Sequence, residues 1–67
     1  MTRARLNGEH RELAPRSTVE DVVALLSPSP AGLAVAVNGE VVSRSAWSKR
    51  EIEEGDEIEV LTAAQGG

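Results

Sequence analysis

Two Asn-Gly pairs, Asn7-Gly8 and Asn38-Gly39, stand between short runs in which apolar and polar or small residues alternate. Alternation with a period of two is typical of β-strands, and an Asn-Gly pair supplies the two positive-φ positions of a type I′ turn. The pattern therefore predicts two β-hairpins, with strands at residues 2–6, 9–13, 33–37 and 40–42. The residues expected on the buried faces are Leu13 in the first hairpin and Leu33, Val35 and Val37 in the second.

A helix is predicted between the hairpins. A hydroxyl residue followed three positions later by an acidic one forms a capping box, and two registers are open: Ser17 with Glu20, or Thr18 with Asp21. Proline at position 28 disfavours continuation of the helix. Apolar residues recur at helical spacing and predict one stripe against a core, made of Val19, Val22, Val23 and Leu26.

The segment after the second hairpin predicts a short helical turn, a tight turn and a last strand. Ser45 is expected to cap the helical turn, and Trp47 is expected to fill the edge of the core. The tight turn is predicted at Glu54-Gly55-Asp56. Residues 57–62 then read as a strand with its glutamates outward and its β-branched residues, Ile58 and Val60, inward.

The predicted order of elements is hairpin, helix, hairpin, helical turn and strand. One helix between two hairpins can cover one face of a single mixed sheet of about five strands, in which the last strand lies centrally. This is an α+β, β-grasp (ubiquitin-like) arrangement. A ferredoxin-like arrangement needs a second full helix, and residues 43–51 are too short and too polar for one. We expect a β-grasp domain at residues 1–62 and a flexible tail at 63–67.

The composition of the chain argues against several classes of function. The chain has 67 residues, no cysteine, one histidine and a formal net charge of −4, so we expect one domain without a metal centre. An acidic balance argues against nucleic acid as a partner. The sequence has neither an apolar run of membrane-spanning length nor a signal-peptide pattern, which predicts a soluble, cytoplasmic protein without a membrane partner. Its serines have no His-Asp pairing, and we expect no catalysis by this chain alone.

The last two residues, Gly66 and Gly67, are the most informative. Glycine has no Cβ, so a diglycine strip can lie flat in a narrow site of another protein. The five residues 63–67 span roughly 16 Å when extended, which is enough to carry the carboxylate of Gly67 into a partner's active site. The simpler interpretation is a frayed tail without a function.

Together with this diglycine, several segments of the chain resemble the ThiS family, the small sulfur carriers of thiamine biosynthesis. The match covers essentially the whole chain, and the segments that carry it are Thr18–Val23, Ala36–Val42, Arg44–Trp47 and Gly55–Val60. One departure is Ser43, where relatives often carry proline.

The resemblance implies a sulfur carrier for the thiazole moiety of thiamine. It implies that a ThiF-like adenylyltransferase adenylates the carboxylate of Gly67, next to Gly66, and that sulfur from a cysteine desulfurase relay converts it to a thiocarboxylate. The carrier would then dock on a ThiG-like thiazole synthase and donate the sulfur. ATP belongs to the activating enzyme, so the chain itself is expected to need no cofactor.

Candidate partner contacts lie in the tail and next to it. Gln65 and Ala64 precede the diglycine, whereas Leu61 and Val42 are expected on the sheet face away from the helix, as a light apolar patch. Glu59 belongs to an acidic run that could steer the chain towards a basic partner. For most of the run, the simpler interpretation is a solvated turn and strand edge. Its members are Glu51, Glu53, Glu54, Asp56, Glu57 and Glu59.

Three other functions stay open at this point. The small subunit of molybdopterin synthase is also a β-grasp carrier that ends in Gly-Gly, but it tends to be longer, with aromatic and proline residues before the tail. A ubiquitin-like modifier would join Gly67 to a lysine of a target, which conjugates of high molecular weight would show. A plain interaction domain would tolerate deletion of Gly66 and Gly67.

Overall fold

The computed structural model of the chain describes residues 1–26 and 32–62. Within these two ranges it contains one α-helix, a short 3-10 turn at Arg44–Ala46 and five strands, as the sequence predicts. The helix is α1 (Val19–Leu26), and the strands are β1 (Thr2–Leu6), β2 (Glu9–Leu13), β3 (Leu33–Val37), β4 (Glu40–Val42) and β5 (Glu57–Thr62).

The five strands form one mixed sheet in the order β2-β1-β5-β3-β4. The last strand, β5, lies at the centre, where it runs parallel to β1 and antiparallel to β3. In each hairpin the first strand therefore pairs with β5, and the second strand forms an edge of the sheet. This topology confirms the predicted β-grasp arrangement.

Both Asn-Gly pairs form the predicted tight turns. Asn7 and Gly8 have φ angles of 52° and 86°, and Asn38 and Gly39 have φ angles of 52° and 84°. Positive φ at both central residues defines the type I′ turn, whose twist matches that of the flanking strands. The strands accordingly pair from the first residue on either side of each turn, which sets the register of both hairpins.

The beginning of α1 is fixed by a capping box in the second of the two registers. The amide of Asp21 donates to Oγ1 of Thr18 at 3.3 Å, and the amide of Thr18 donates to Oδ2 of Asp21 at 3.0 Å. Ser17 does not cap the helix, because its hydroxyl donates to the carbonyl oxygen of Ala14 at 2.7 Å. Reciprocal bonding of this kind satisfies amides that the first turn of a helix leaves without a partner.

The segment that follows β4 holds the same end of α1. The amide of Val19 donates to the carbonyl oxygen of Arg50 at 2.9 Å, and the amide of Glu20 donates to that of Trp47 at 3.1 Å. Because the first amides of a helix have no acceptor within it, these two bonds join α1 to the second half of the chain. The position of α1 on the sheet therefore depends on bonds to Trp47 and Arg50, which lie outside the helix.

The core lies between α1 and the inner face of the sheet. Ile58 and Val19 have no exposed surface, and Val22, Val35 and Val37 are exposed by only 1%. The remaining core residues are Ala4, Leu6, Leu13, Val23, Trp47 and Ile52. The prediction for Leu26 is wrong, because this last residue of α1 lies past the packed stripe and is 39% exposed.

Trp47 fills the edge of the core, as predicted, and its indole Nε1 donates to the carbonyl oxygen of Val42 at 3.0 Å. The guanidinium of Arg44 stacks over the ring, 4.9 Å from its centroid. The prediction that Ser45 caps the helical turn is wrong. The turn begins at Arg44, and the amide of Ala46 donates to the carbonyl oxygen of Ser43, so backbone bonds close it without a hydroxyl cap.

Asp56 is a buried structural residue, although the sequence groups it with an exposed acidic run. Its Oδ1 accepts from Nδ2 of Asn38 at 2.9 Å, and its Oδ2 accepts from the amide of Glu53 at 2.8 Å. Nη1 of Arg50 lies 3.8 Å from Oδ2. The carboxylate therefore joins the second hairpin turn to the loop that leads into β5, and it compensates its own burial with polar partners.

We expect Asp56→Ala to lower the free energy of unfolding by about 2–3 kcal/mol, because Asn38 and Glu53 each lose a charged acceptor in a buried place. Glu53→Ala is the matched control: it removes the same charge from the same loop, but its own side chain is exposed. Urea unfolding followed by tryptophan fluorescence measures both. Equal losses in the two variants would contradict the structural role of Asp56.

Candidate functional site: the outer sheet face and the strand that leads to the tail

The sheet face opposite α1, here called the outer face, carries every second residue of each strand. On β5 these residues are Glu57, Glu59 and Leu61, because Ile58 is buried in the core and Val60 packs against it. The register places Leu61 opposite Ala34 and Glu59 opposite Ala36, both on β3. The glutamates are thus outward, as predicted.

Four apolar residues on the outer face form a contiguous surface, here called the outer apolar patch: Ala34, Ala36, Val41 and Leu61. Val41 is 81% exposed and Leu61 is 59% exposed, whereas the two alanines are half-buried between them. Small residues in the middle leave the surface flat, so a partner can approach the sheet closely. Exposed apolar surface of this kind marks an interaction site when it is contiguous.

The predicted position of Val42 on the outer face is wrong. Val42 pairs with Val35, and it packs against the core on the same side as α1. The reason is the two-residue turn: with Val37 opposite Glu40, Ala36 must face Val41 and Val35 must face Val42. Val41, which the sequence interpretation did not select, therefore takes the outward place. The turn type together with the inward assignment of Val35 could have identified it.

Charges on the outer face are distributed unevenly. Glu57 approaches Arg5 with 3.3 Å between Oε2 and Nη1, and the amide of Arg3 donates to Oε1 of Glu54 at 2.9 Å. With Asp56 buried, three members of the acidic run thus have partners within the fold. Glu59 lies exposed beside the outer apolar patch, where its charge contributes to the surface that a partner would meet.

The tail is the other half of the candidate site. Gly67, Gly66, Gln65 and Ala64 lie outside the described residues, so their predicted roles stay predictions. β5, which leads to them, ends at Thr62 and occupies the centre of the sheet. Leu61 of the outer apolar patch stands one residue before that end. The exposed Leu61 and the tail consequently belong to one continuous segment of chain.

The side chain of Asn7 makes a further contact with this segment, which the sequence interpretation missed. Its Oδ1 accepts from the amide of Val60 at 2.9 Å. The sequence identifies Asn7 only as a turn residue, since no local pattern indicates which distant strand its side chain will meet.

Neither a metal centre nor a membrane span is found in the described residues. No three His, Asp or Glu side chains between residues 1 and 26 or 32 and 62 lie close enough together to bind a metal ion. No helix in the same ranges is sufficiently long and apolar to cross a bilayer.

Comparison with known proteins relates this geometry to one family. Residues 4–67 match the ThiS family model. The sulfur carrier protein ThiS of Escherichia coli (strain K12) is 30% identical over 61 residues, which cover 91% of this chain and 92% of that protein.

Two solved structures of a thiamine biosynthesis protein from Geobacter metallireducens share the fold. The crystal structure of this protein, ThiS, is 26% identical, with a TM-score of 0.78, and the match covers 98% of this chain and all of that one. Its NMR solution structure is 28% identical, with a TM-score of 0.77, over 98% of this chain and 88% of that one.

The assignment of the two faces is testable with one substitution at neighbouring positions. Threonine keeps the β-branched shape of valine, so Val41→Thr should change the free energy of unfolding by less than about 0.5 kcal/mol at this exposed position. Val42→Thr brings a hydroxyl against the core and should cost about 1 kcal/mol. Thermal unfolding of both variants measures the difference, and a larger loss for Val41→Thr would reverse the assignment.

Proposed function

The chain belongs to the ThiS family, the sulfur carriers of thiamine biosynthesis, and on this premise we propose that it carries sulfur as a thiocarboxylate on Gly67. It is a carrier and not an enzyme. The observation that carries the proposal is the continuity of the exposed Leu61, the end of the central strand β5 and the diglycine within one short segment. The folded body binds the partner, and the tail reaches its active site.

In the first step, a ThiF-like adenylyltransferase activates the tail. One oxygen of the Gly67 carboxylate attacks the α-phosphorus of ATP, an O–P bond forms, and pyrophosphate leaves with the electron pair of the broken bond. The product is an acyl-adenylate whose carbonyl carbon is electrophilic. ATP and the groups that bind it belong to the enzyme, so the chain contributes the carboxylate alone. The requirement for ATP is our reason to place this exchange in the cytoplasm.

In the second step, sulfur replaces the adenylate. The terminal sulfur of a persulfide on a cysteine desulfurase relay attacks the carbonyl carbon, a C–S bond forms, and AMP leaves with the electrons of the C–O bond. A thiol then cleaves the S–S bond of the acyl disulfide, is itself oxidised to a disulfide with the relay, and releases the thiocarboxylate. The resulting thiocarboxylate is a localised nucleophile on a protein tether. It docks on a ThiG-like thiazole synthase, which takes the sulfur for the thiazole ring and returns the carboxylate.

The tail residues suit this chemistry because all of them except Gln65 are small. Gly66 and Gly67 have no Cβ, so the backbone can lie against the walls of a narrow channel in conformations that other residues disfavour. Ala64 and Gln65 of the tail would lie at the entrance of that channel. Residues 63–67 span roughly 16 Å when extended, which separates the reacting carboxylate from the folded body.

The outer apolar patch is the proposed docking face, with Leu61 and Val41 as its exposed anchors. Glu59 stands beside the patch, where its negative charge favours a basic rim on the partner. Val42, on the core side of β4, has no part in this face.

The central experiment is intact-protein mass spectrometry of the chain after incubation with the adenylyltransferase, ATP and a sulfide source. We expect the mass increase of one sulfur replacing one oxygen, located on the C-terminal peptide. Omission of ATP is the control and should leave the mass unchanged. An unchanged mass in the complete reaction would contradict the proposed function, and attachment of the chain to lysines of other proteins would indicate a modifier.

Gly67→Ala should leave the thermal midpoint unchanged and slow adenylation at least about tenfold, because the added Cβ obstructs a channel shaped for glycine. Pyrophosphate release measures the rate, and circular dichroism measures the midpoint. If the substitution unfolded the domain, residue 67 would belong to the core. If adenylation continued at the same rate, the channel would not select for glycine.

Leu61→Ser should raise the KM of the chain as a substrate of the adenylyltransferase by about tenfold, because it removes an anchor of the docking face. Leu25→Ser is a matched control, since Leu25 on α1 is 64% exposed and lies away from the outer face. An equal effect of the two substitutions would contradict the assignment of the docking face.

A further inference from the structure

Asn7 bonds to the central strand through its side chain as well as its backbone. Its amide donates to the carbonyl oxygen of Ile58 at 2.9 Å. Its side-chain Oδ1 accepts from the amide of Val60 at 2.9 Å, and its Nδ2 lies 3.4 Å from the carbonyl oxygen of the same residue. One turn residue thus contacts two successive β1-facing positions of β5.

These contacts take the place of a missing stretch of strand. β1 ends at Leu6, opposite Ile58, and its chain then turns into β2. A parallel neighbour for Val60 would have to continue past Leu6, where the type I′ turn prevents it. In a longer β1, the amide of Val60 would donate to a backbone carbonyl oxygen of that strand. The side-chain oxygen of Asn7 accepts from this amide instead, so β5 has one more hydrogen bond on its β1 side.

The second hairpin turn provides an internal comparison. Oδ1 of Asn38 accepts from the amide of Glu57 at 2.9 Å, so this asparagine holds the beginning of β5 from the β3 side. Asn38 also supports the buried carboxylate of Asp56. The two turns therefore bond to opposite sides of one strand, Asn38 at its first residue and Asn7 at its second and fourth, and the contact of Asn7 with Val60 is the one nearer the tail.

We infer that Asn7 is a positioning residue for sulfur loading, an inference that rests on the proposed function. Seven residues, Leu61 to Gly67, separate Val60 from the carboxylate, and a chain of that length spans at most about 23 Å, at roughly 3.3 Å per residue. Asn7 bonds to the β1 side of β5 at Val60, and beyond Val60 the strand is paired with β3 at Leu61 and Thr62, so loss of the Asn7 contact would loosen one side of the strand from which the tail leaves. Attack on the α-phosphorus requires close alignment, and small misplacements of a reacting group are costly. The docking face itself does not include Asn7.

Two substitutions at this position separate the side-chain contact from the turn. Asn7→Gly removes the carboxamide, while glycine readily adopts the positive φ of 52°. Asn7→Asp keeps the turn and the oxygen that accepts from Val60, and it exchanges Nδ2 for a second acceptor oxygen at the longer distance from the carbonyl oxygen of Val60. Asn38→Gly is the matched control, because it removes the equivalent side chain from the other turn.

The decisive measurement is the kinetics of adenylation with the carrier as the varied substrate, followed by pyrophosphate release. Loss of folded protein lowers the effective substrate concentration, so it raises the apparent KM and leaves kcat unchanged at saturation. Poor positioning of a fully bound tail lowers kcat. We expect Asn7→Gly to lower kcat about five- to tenfold with little change in KM, and Asn7→Asp to retain most of it. Asn38→Gly should leave kcat unchanged.

Amide hydrogen exchange gives a second readout that does not require the enzyme. Exchange at Val60 should accelerate in Asn7→Gly, whereas Leu61, whose amide points to β3, serves as the reference. An unchanged exchange rate at Val60, or a kcat equal to that of the original chain, would overturn the inference while the proposed function stood. A rise in KM alone, as in Asn38→Gly, would also overturn it. Failure of the unaltered chain to be adenylated would overturn the proposed function itself.

Discussion

The fold depends on the pairing of its last strand with its first. β5 lies between β1 and β3, and it provides Ile58, which has no exposed surface, to the centre of the core. An isolated two-stranded hairpin is marginally stable, so neither half of the molecule would hold its shape without this strand. Because the partners are far apart in the sequence, the sheet completes only when the end of the chain has returned to its beginning.

That constraint gives the asparagines of the two hairpin turns a second role. Asn38 and Asp56 hold its beginning, and Asn7 holds the position of Val60. Each of these bonds joins a hairpin turn to β5 or to the loop that leads into it, so the turns have a tertiary role in addition to reversing the chain. A tail that follows such a strand begins from a well-defined point, which a carrier requires if its last residue is to enter an active site.

One face of the sheet carries the core, and the other is the proposed docking face. The inner face is covered by α1 and closes the core, whereas the outer face exposes Leu61 and Val41 around two half-buried alanines. Substitutions on the outer face can therefore change partner binding with little effect on folding. Strands alternate their side chains between the faces, so residues of both kinds are adjacent in the sequence, as Val41 and Val42 demonstrate.

The sequence alone determined the elements of this protein, because these follow from local patterns: the Asn-Gly turns, the helical spacing of apolar residues in α1 and the alternation along β3 and β5. It also indicated the family, through the diglycine and the matching segments along the chain. Tertiary structure decided the burial of Asp56, the exposure of Leu26 and the contact between Asn7 and Val60. The inward position of Val42 required both sources. The turn type fixes which residues of β3 and β4 pair, and pairing with the buried Val35 then places Val42 on the core side. Asn7 and Val60 are 53 positions apart, and local periodicity does not predict a contact over such a distance. The neighbours of Asn7 indicate only a turn, and those of Val60 indicate only a strand.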